Sequence, residues 1–241
     1  MNMKMKARSV QQIVQDQVHG WQIAHTEAPK IPEPISVITI SREPGSGGNI
    51  LAERLGDELG YDVYHQKIIH QMAESTDISE SFLEQVDEKG LGFVEDRICS
   101  LLNPRRLGQD QYFRQLLKII RSIGKHGHAV LVGRGANFIL PFAKRLSVRL
   151  VAPQELRIKR VSRDFGVSMQ EAKRRVSQTE LNRKAFIRKY FNADVSAPEN
   201  YNMVINTGLF SIESAVYCIK CAIEDKACKA TPVHRQAEIL A

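Results

Sequence analysis

The chain has 241 residues, 43% of them apolar and 25% charged, with 34 Lys and Arg against 27 Asp and Glu for a net charge of +7. This composition excludes a disordered or fibrous chain and suits one domain, or one domain with a small inserted lobe, around an ample core. No apolar run approaches the ~20 residues needed to span a bilayer, so no membrane is expected among its partners. The first residues, Met1 to Arg8, are basic but lead into polar sequence without the apolar stretch of a secretory signal. With only four cysteines, the expectation is free thiols in the reducing cytoplasm. The positive charge points to anionic partners, either phosphorylated small molecules or nucleic acid.

In chain order, Val10, Ile13, Val14, Val18 and Trp21 recur at helical spacing. Pro29, Pro32 and Pro34 then make an extended linker, so residues 1–34 read as an appendage to a main domain over 35–241. Ile35 to Ile40 is a β-branched run and predicts a strand. The loop SREPGSGG follows, and then a helix from Asn49 to Leu59 closed by Gly60. Asp62–Tyr64 predicts a short second strand. Residues 66–126 are helix-patterned, with breaks near Lys89-Gly90, Asn103-Pro104 and Leu107-Gly108. Strands are predicted at His128–Val132, Leu146–Val151 and Met203–Asn206. Helices are predicted at Pro153–Phe165, from Ser168 onward with Glu171 completing a capping-box pattern, and at Ser211–Cys228. Strands alternating with helices imply a parallel α/β sheet covered on both faces.

The glycine loop matches no single phosphate-loop pattern. Anchored on Gly47, the motif G-x-x-x-x-G-K-[ST] requires Gly at Arg42, Lys at Gly48 and Ser or Thr at Asn49. The dinucleotide motif G-x-G-x-x-G fits Gly45 and Gly47 but meets Ile50 at its third glycine. The physics still favours an anion, because glycines let successive N–H groups turn inward and the next helix presents its positive end there. The competing reading is a plain strand-to-helix turn.

The stretch VITISREPGSGGNILAERLGDELGYDVY resembles the opening of the cytidylate kinase-like family. VLVGRGANFILPFAKRLSVRLVAPQELRIKRV and RKAFIRKYFNADVSAPENYNMVINT are similar to the family's central stretch and lid. Together these cover roughly residues 35–225. The resemblance implies a P-loop kinase fold with a five-stranded parallel sheet, a helical monophosphate-binding lobe at 66–126 and a lid at 166–196. It implies ATP and Mg²⁺ as cofactors, small nucleotides as partners, and phosphoryl transfer to CMP or dCMP. On this reading Gly45, Ser46, Gly47, Gly48 and Asn49 hold the donor phosphates, and Arg134 in the G-R signature holds the acceptor phosphate. Arg175, Arg183 and Arg188 are the lid cations expected to close over the transferred group. Arg42 is expected either to supply the charge of the missing lysine or to pair with Glu43 or a lid carboxylate.

Departures from the family pattern qualify these expectations. Gly135 stands where an aspartate follows the signature arginine, which leaves cytosine or ribose recognition open. Magnesium has no obvious ligand: Asn49 is a poor one, and Glu43 and Glu180 are the substitutes. His65 follows Tyr64 where the family has aspartate, so it is either a phosphate contact or a solvated loop side chain. Cys218 and Cys221, with Cys228 and His234 beyond, either bind zinc or pack as small apolar residues in a helix. Two other functions compete with a kinase: a nucleotide-binding regulator with a degenerate kinase site, and a nucleic-acid-binding module. The last lacks interleaved aromatic residues and any recognisable DNA-binding motif.

Overall fold

The computed structural model describes residues 36–74 and 111–230, with side chains to residue 225. The expected appendage at 1–34, the breaks between 89 and 108, Cys228 and His234 lie outside the described residues or side chains. The elements are β1 (Val37–Arg42), α1 (Gly48–Leu59), β2 (Asp62–Tyr64), α2 (Gln66–Glu74), α3 (Gln111–His126), β3 (Ala129–Val132), α4 (Ala136–Ile139), β4 (Arg145–Val151), α5 (Gln154–Phe165), α6 (Met169–Phe191), β5 (Met203–Asn206) and α7 (Ile212–Ala230). The five strands form one sheet in the order β2-β3-β1-β4-β5. Every pairing is parallel. With the glycine loop between the central strand and the first helix, this is the P-loop kinase fold.

Strands buried on both faces explain the apolar run at 129–132 and the run at 37–40, broken only by the buried Thr39. One face of the sheet packs Ile38, Ile40, Val130, Val132, Leu146 and Val148 against Leu51 and Leu55 of α1 and Ile219 of α7. The other packs Val37 and Leu131 against Ile69 and Met72 of α2 and Phe113, Leu116 and Ile120 of α3. The second face also takes the C-terminal part of α6. Tyr190 stacks on Phe113 at a centroid distance of 4.3 Å, and Phe191 stacks on Phe138 at 5.1 Å. These aromatic pairs bury area and add orientational preference, which fixes the end of α6 to the core. Earlier in the same helix, Ala172 and Val176 pack with Ile158 and Val161 of α5 in a separate small cluster. The Ser168 hydroxyl caps α6 by accepting the N–H of Glu171 at 3.2 Å. The carboxylate of Glu171 is turned instead to Arg174 and Arg175.

β1 runs two residues beyond the predicted end. Ser41 and Arg42 pair with Arg149 and Leu150 of β4, so the ladder holds residues that polarity assigns to a loop. This extension carries Arg42 to the carboxyl edge of the sheet, the edge where ligands bind in open parallel sheets.

Candidate active site

The loop after β1 is a tight turn followed by a helix start. Pro44 and Gly45 occupy its centre, with Gly45 at φ +81°, and the N–H of Ser46 returns to the Glu43 carbonyl at 3.2 Å. A methyl group on Gly45 would lie 2.6 Å from the Arg157 carbonyl, so the turn presses directly on α5. Gly47 follows at φ +84° and opens α1. The Leu51 N–H already bonds to the Gly47 carbonyl at 3.0 Å. The N–H groups just before it, at the first turn of α1, have no partner within the helix and face the loop with the helix dipole behind them. That donor set fits the oxygens of a phosphate. Ser46 is fully buried, and its hydroxyl also donates to the Glu43 carbonyl, at 2.9 Å. Asn49 is exposed. From below, Thr207 donates its hydroxyl to the Ser46 carbonyl at 2.9 Å, and Arg160 in turn donates to Thr207.

Beside the loop lies a cavity of about 250 Å³ between the ends of β1, β3 and β4 and the inner face of α6. Its lining stops at Pro44, so Gly45 to Asn49 border it without lining it. Four arginines meet there: Arg42, Arg134, Arg149 and Arg183. Arg42 donates to Gln66 Oε1 at 2.9 Å, a neutral partner. Arg183 donates to the Arg42 carbonyl at 2.8 Å, tying α6 to the end of β1. The Arg134 guanidinium lies over the Phe186 ring at 5.5 Å, and its backbone is left-handed at φ +53° between Gly133 and Gly135. Arg149 is buried on β4, donates to Ser41 Oγ at 3.0 Å and lies over Tyr201 at 5.7 Å.

These cations repel one another. Burial, with Arg183 and Arg134 nearby, pushes Arg42 down to about 9. Burial, with Arg149 and Arg134, pushes Arg183 down to about 10 against a smaller opposing pull from Glu180. The two carboxylates that line the cavity do not relieve this charge. Arg157, itself buried, holds Glu43 and Glu180 at 3.2 Å each, and Lys184 also pairs with Glu180 at 3.0 Å. A cluster of like charges in low dielectric, with its nearby carboxylates already engaged, is arranged to receive an anion.

The structure thus brings Arg42, Arg134 and Arg183 together and places Arg149 and Gln66 beside them. Arg175 and Arg188 stand apart. Arg175 is exposed, pairs with Glu171 at 2.7 Å and lies over Phe165, and Arg188 is exposed on α6. Arg42 pairs with neither Glu43 nor a lid carboxylate. His65 pairs with Glu53 on α1. Cys218 is half-buried and Cys221 exposed, both as free thiols, on a helix whose buried side is Ala215, Val216 and Ile219. Among the described residues no group of three or more His, Cys, Asp and Glu is placed to hold a metal ion, and no helix is long and apolar enough to cross a membrane. The magnesium substitutes Glu43 and Glu180 are both taken up by Arg157.

Compared with known proteins, residues 37–209 match the model of the cytidylate kinase-like family. The chain belongs to that family. Among its relatives, the cytidylate kinase of Pyrococcus horikoshii is 29% identical over 196 residues, covering 80% of this chain and 91% of that protein. The cytidylate kinase of Methanopyrus kandleri is 28% identical over 198 residues, covering 78% and 93%. An uncharacterized protein of Eubacterium ventriosum has a crystal structure that superposes with a TM-score of 0.65 at 21% identity, covering 80% of this chain and 99% of that one. That likeness is one of fold. The family match spans the loop, the four arginines and α6.

Proposed function

We propose that this protein transfers the γ-phosphoryl group of ATP to a nucleoside monophosphate, with CMP or dCMP as the acceptor. The observation that carries the reading is the meeting of Arg42, Arg134, Arg149 and Arg183 in one cavity beside a phosphate-shaped loop. Phosphoryl transfer asks little covalent chemistry of a protein and much positioning and positive charge. ATP supplies the phosphoryl group, and magnesium bound with it would offset charge on the donor phosphates. The loop amides at the start of α1 hold the donor phosphates. Arg134 orients the acceptor phosphate, whose oxygen attacks the γ-phosphorus while the bridging oxygen leaves with ADP. Arg42 and Arg183 face the charge that spreads over the oxygens in passage, and α6 covers the cavity and excludes water. Glu43 and Glu180, the carboxylates that line the cavity, are both bound to Arg157 and so do not fit the part of magnesium ligands.

The test is a coupled ADP-release assay with ATP, Mg²⁺ and CMP, dCMP, UMP, AMP, GMP or no acceptor. Turnover with a pyrimidine monophosphate, lost in Arg134→Ala, supports the reading. A nucleotide-binding regulator is the second reading, favoured by glycine at position 48 and by a β3 that ends in Val132-Gly133 without a carboxylate. ATP binding by calorimetry without turnover above the acceptor-free blank selects it.

A further inference from the structure

We infer that Arg42 and Gly48 are a matched pair: Arg42 supplies from the end of β1 the donor-phosphate cation that phosphate-loop enzymes supply from a lysine at the position of Gly48, and Gly48 is the space that lets it do so. The inference rests on the kinase reading and names the residue that replaces the lysine.

Three observations carry it. First, a methyl group on Gly48 would lie 2.7 Å from Arg42 Cγ and 2.8 Å from Arg42 Cβ. These atoms are the root of the side chain, held by the β1 ladder, and cannot swing aside as a flexible tip can. Every residue larger than glycine at 48 therefore displaces Arg42. Backbone conformation does not demand glycine there, since Gly48 is absent from the left-handed positions while Gly45 and Gly47 on the same loop are among them. On helix propensity alone, alanine would be the better residue.

Second, the far end of the same side chain lies against another bare backbone. A methyl group on Gly133 would be 2.2 Å from Arg42 Nη1. Arg42 thus runs in a slot with a glycine at each end, from the first turn of α1 to the end of β3. It is the residue that joins the loop to the arginine cavity.

Third, its charge is left available. Gln66 orients the guanidinium through a neutral carbonyl oxygen at 2.9 Å, and the adjacent carboxylate of Glu43 faces Arg157. A guanidinium fork fixed by a neutral partner can serve an incoming phosphate as the lysine does, with a planar geometry in place of a point charge.

The test is a double-mutant cycle on ATP affinity by titration calorimetry, with thermal melting of each ligand-free variant. Arg42→Gly and Gly48→Ala are each expected to weaken ATP roughly tenfold to a hundredfold, the loss of one charged hydrogen-bonding partner. Arg42→Gly, which also removes the Cβ that a residue at 48 would meet, combined with Gly48→Ala is expected to be no weaker than Arg42→Gly alone. Arg42→Gly/Gly48→Lys is expected to bind more tightly than Arg42→Gly, whereas Gly48→Lys on the native background tightens nothing. Additive losses, or a lysine that tightens ATP equally in both backgrounds, would overturn the pairing. If Gly48→Ala does not fold, relief of the clash requires that Arg42→Gly/Gly48→Ala fold, and its failure to do so also overturns the pairing. Binding without turnover in the native protein defeats the kinase reading while the cycle still decides the pairing. Absence of ATP binding defeats both.

Discussion

Arg157→Met should destabilise the fold through the charges it strands. Arg157 has a side chain 7% exposed and satisfies three acceptors: the Ala152 carbonyl at 3.0 Å, Glu43 at 3.2 Å and Glu180 at 3.2 Å. Removing one partner of a buried ion pair costs about 3–5 kcal/mol, because the other charge stays behind without compensation. Here Glu180 keeps Lys184, and Glu43 keeps the Ala152 N–H at 3.0 Å, so the low end applies. A loss of about 3 kcal/mol in a domain of this size lowers the melting temperature by roughly 6–12 °C. Urea unfolding and calorimetry would measure it. The triple variant Arg157→Met/Glu43→Gln/Glu180→Gln strands no charge and should lie within about 1 kcal/mol of the native protein. If the triple is as unstable as the single, the effect comes from packing around the Arg157 stem and the electrostatic account is refuted. A released Glu43 lies next to Arg42 in the chain, so the single variant should also bind ATP more weakly than the triple.

The arginine cavity has a pH signature. Arg42 is held at about 9, below its usual value, so its charge costs stability at neutral pH and that cost is relieved as pH rises through about 9. A bound phosphate favours the protonated form, so ATP affinity should be level from about pH 7 to 8 and fall above about 9. Calorimetry across that range on native protein and Arg42→Gln checks this: the variant should bind weakly with a shallower fall between about pH 8.5 and 9.5, and equal slopes would count against the assignment. At the other end of α6, Phe113→Ala removes the ring on which Tyr190 stacks at 4.3 Å in a fully buried position. It should cost about 3–5 kcal/mol in urea unfolding, and a loss under 1 kcal/mol would show that the aromatic cluster does not hold α6.

Why some of the site was legible and some was not comes down to faces and spaces. β2 and β5 have the bounds that their apolar residues predict, because each is a short run between turn residues. Among the lid cations, charge density alone does not separate Arg175, Arg183 and Arg188. Helical phase does, because Val176, Ile187, Tyr190 and Phe191 mark the buried side of α6, and Arg183 lies seven residues after the first and four before the second. Arg188, one residue beyond Ile187, is turned about 100° away. Arg149 carried a comparable signal, being an arginine in the alternating strand LSVRLV, where a charge needs either a partner or a ligand. Gln66 and Arg157 carried none, since their side-chain partners lie 23 residues or more away along the chain. The glycine loop is the deepest case. A motif compares residue types at fixed positions, and by that test position 48 is a loss. The lost lysine leaves a volume, and the side chain filling that volume belongs to Arg42, six positions earlier, at the place where the motif expects a glycine. Two apparent defects in one motif are therefore a single exchange of cation and space, which only the packing of β1 against α1 makes visible.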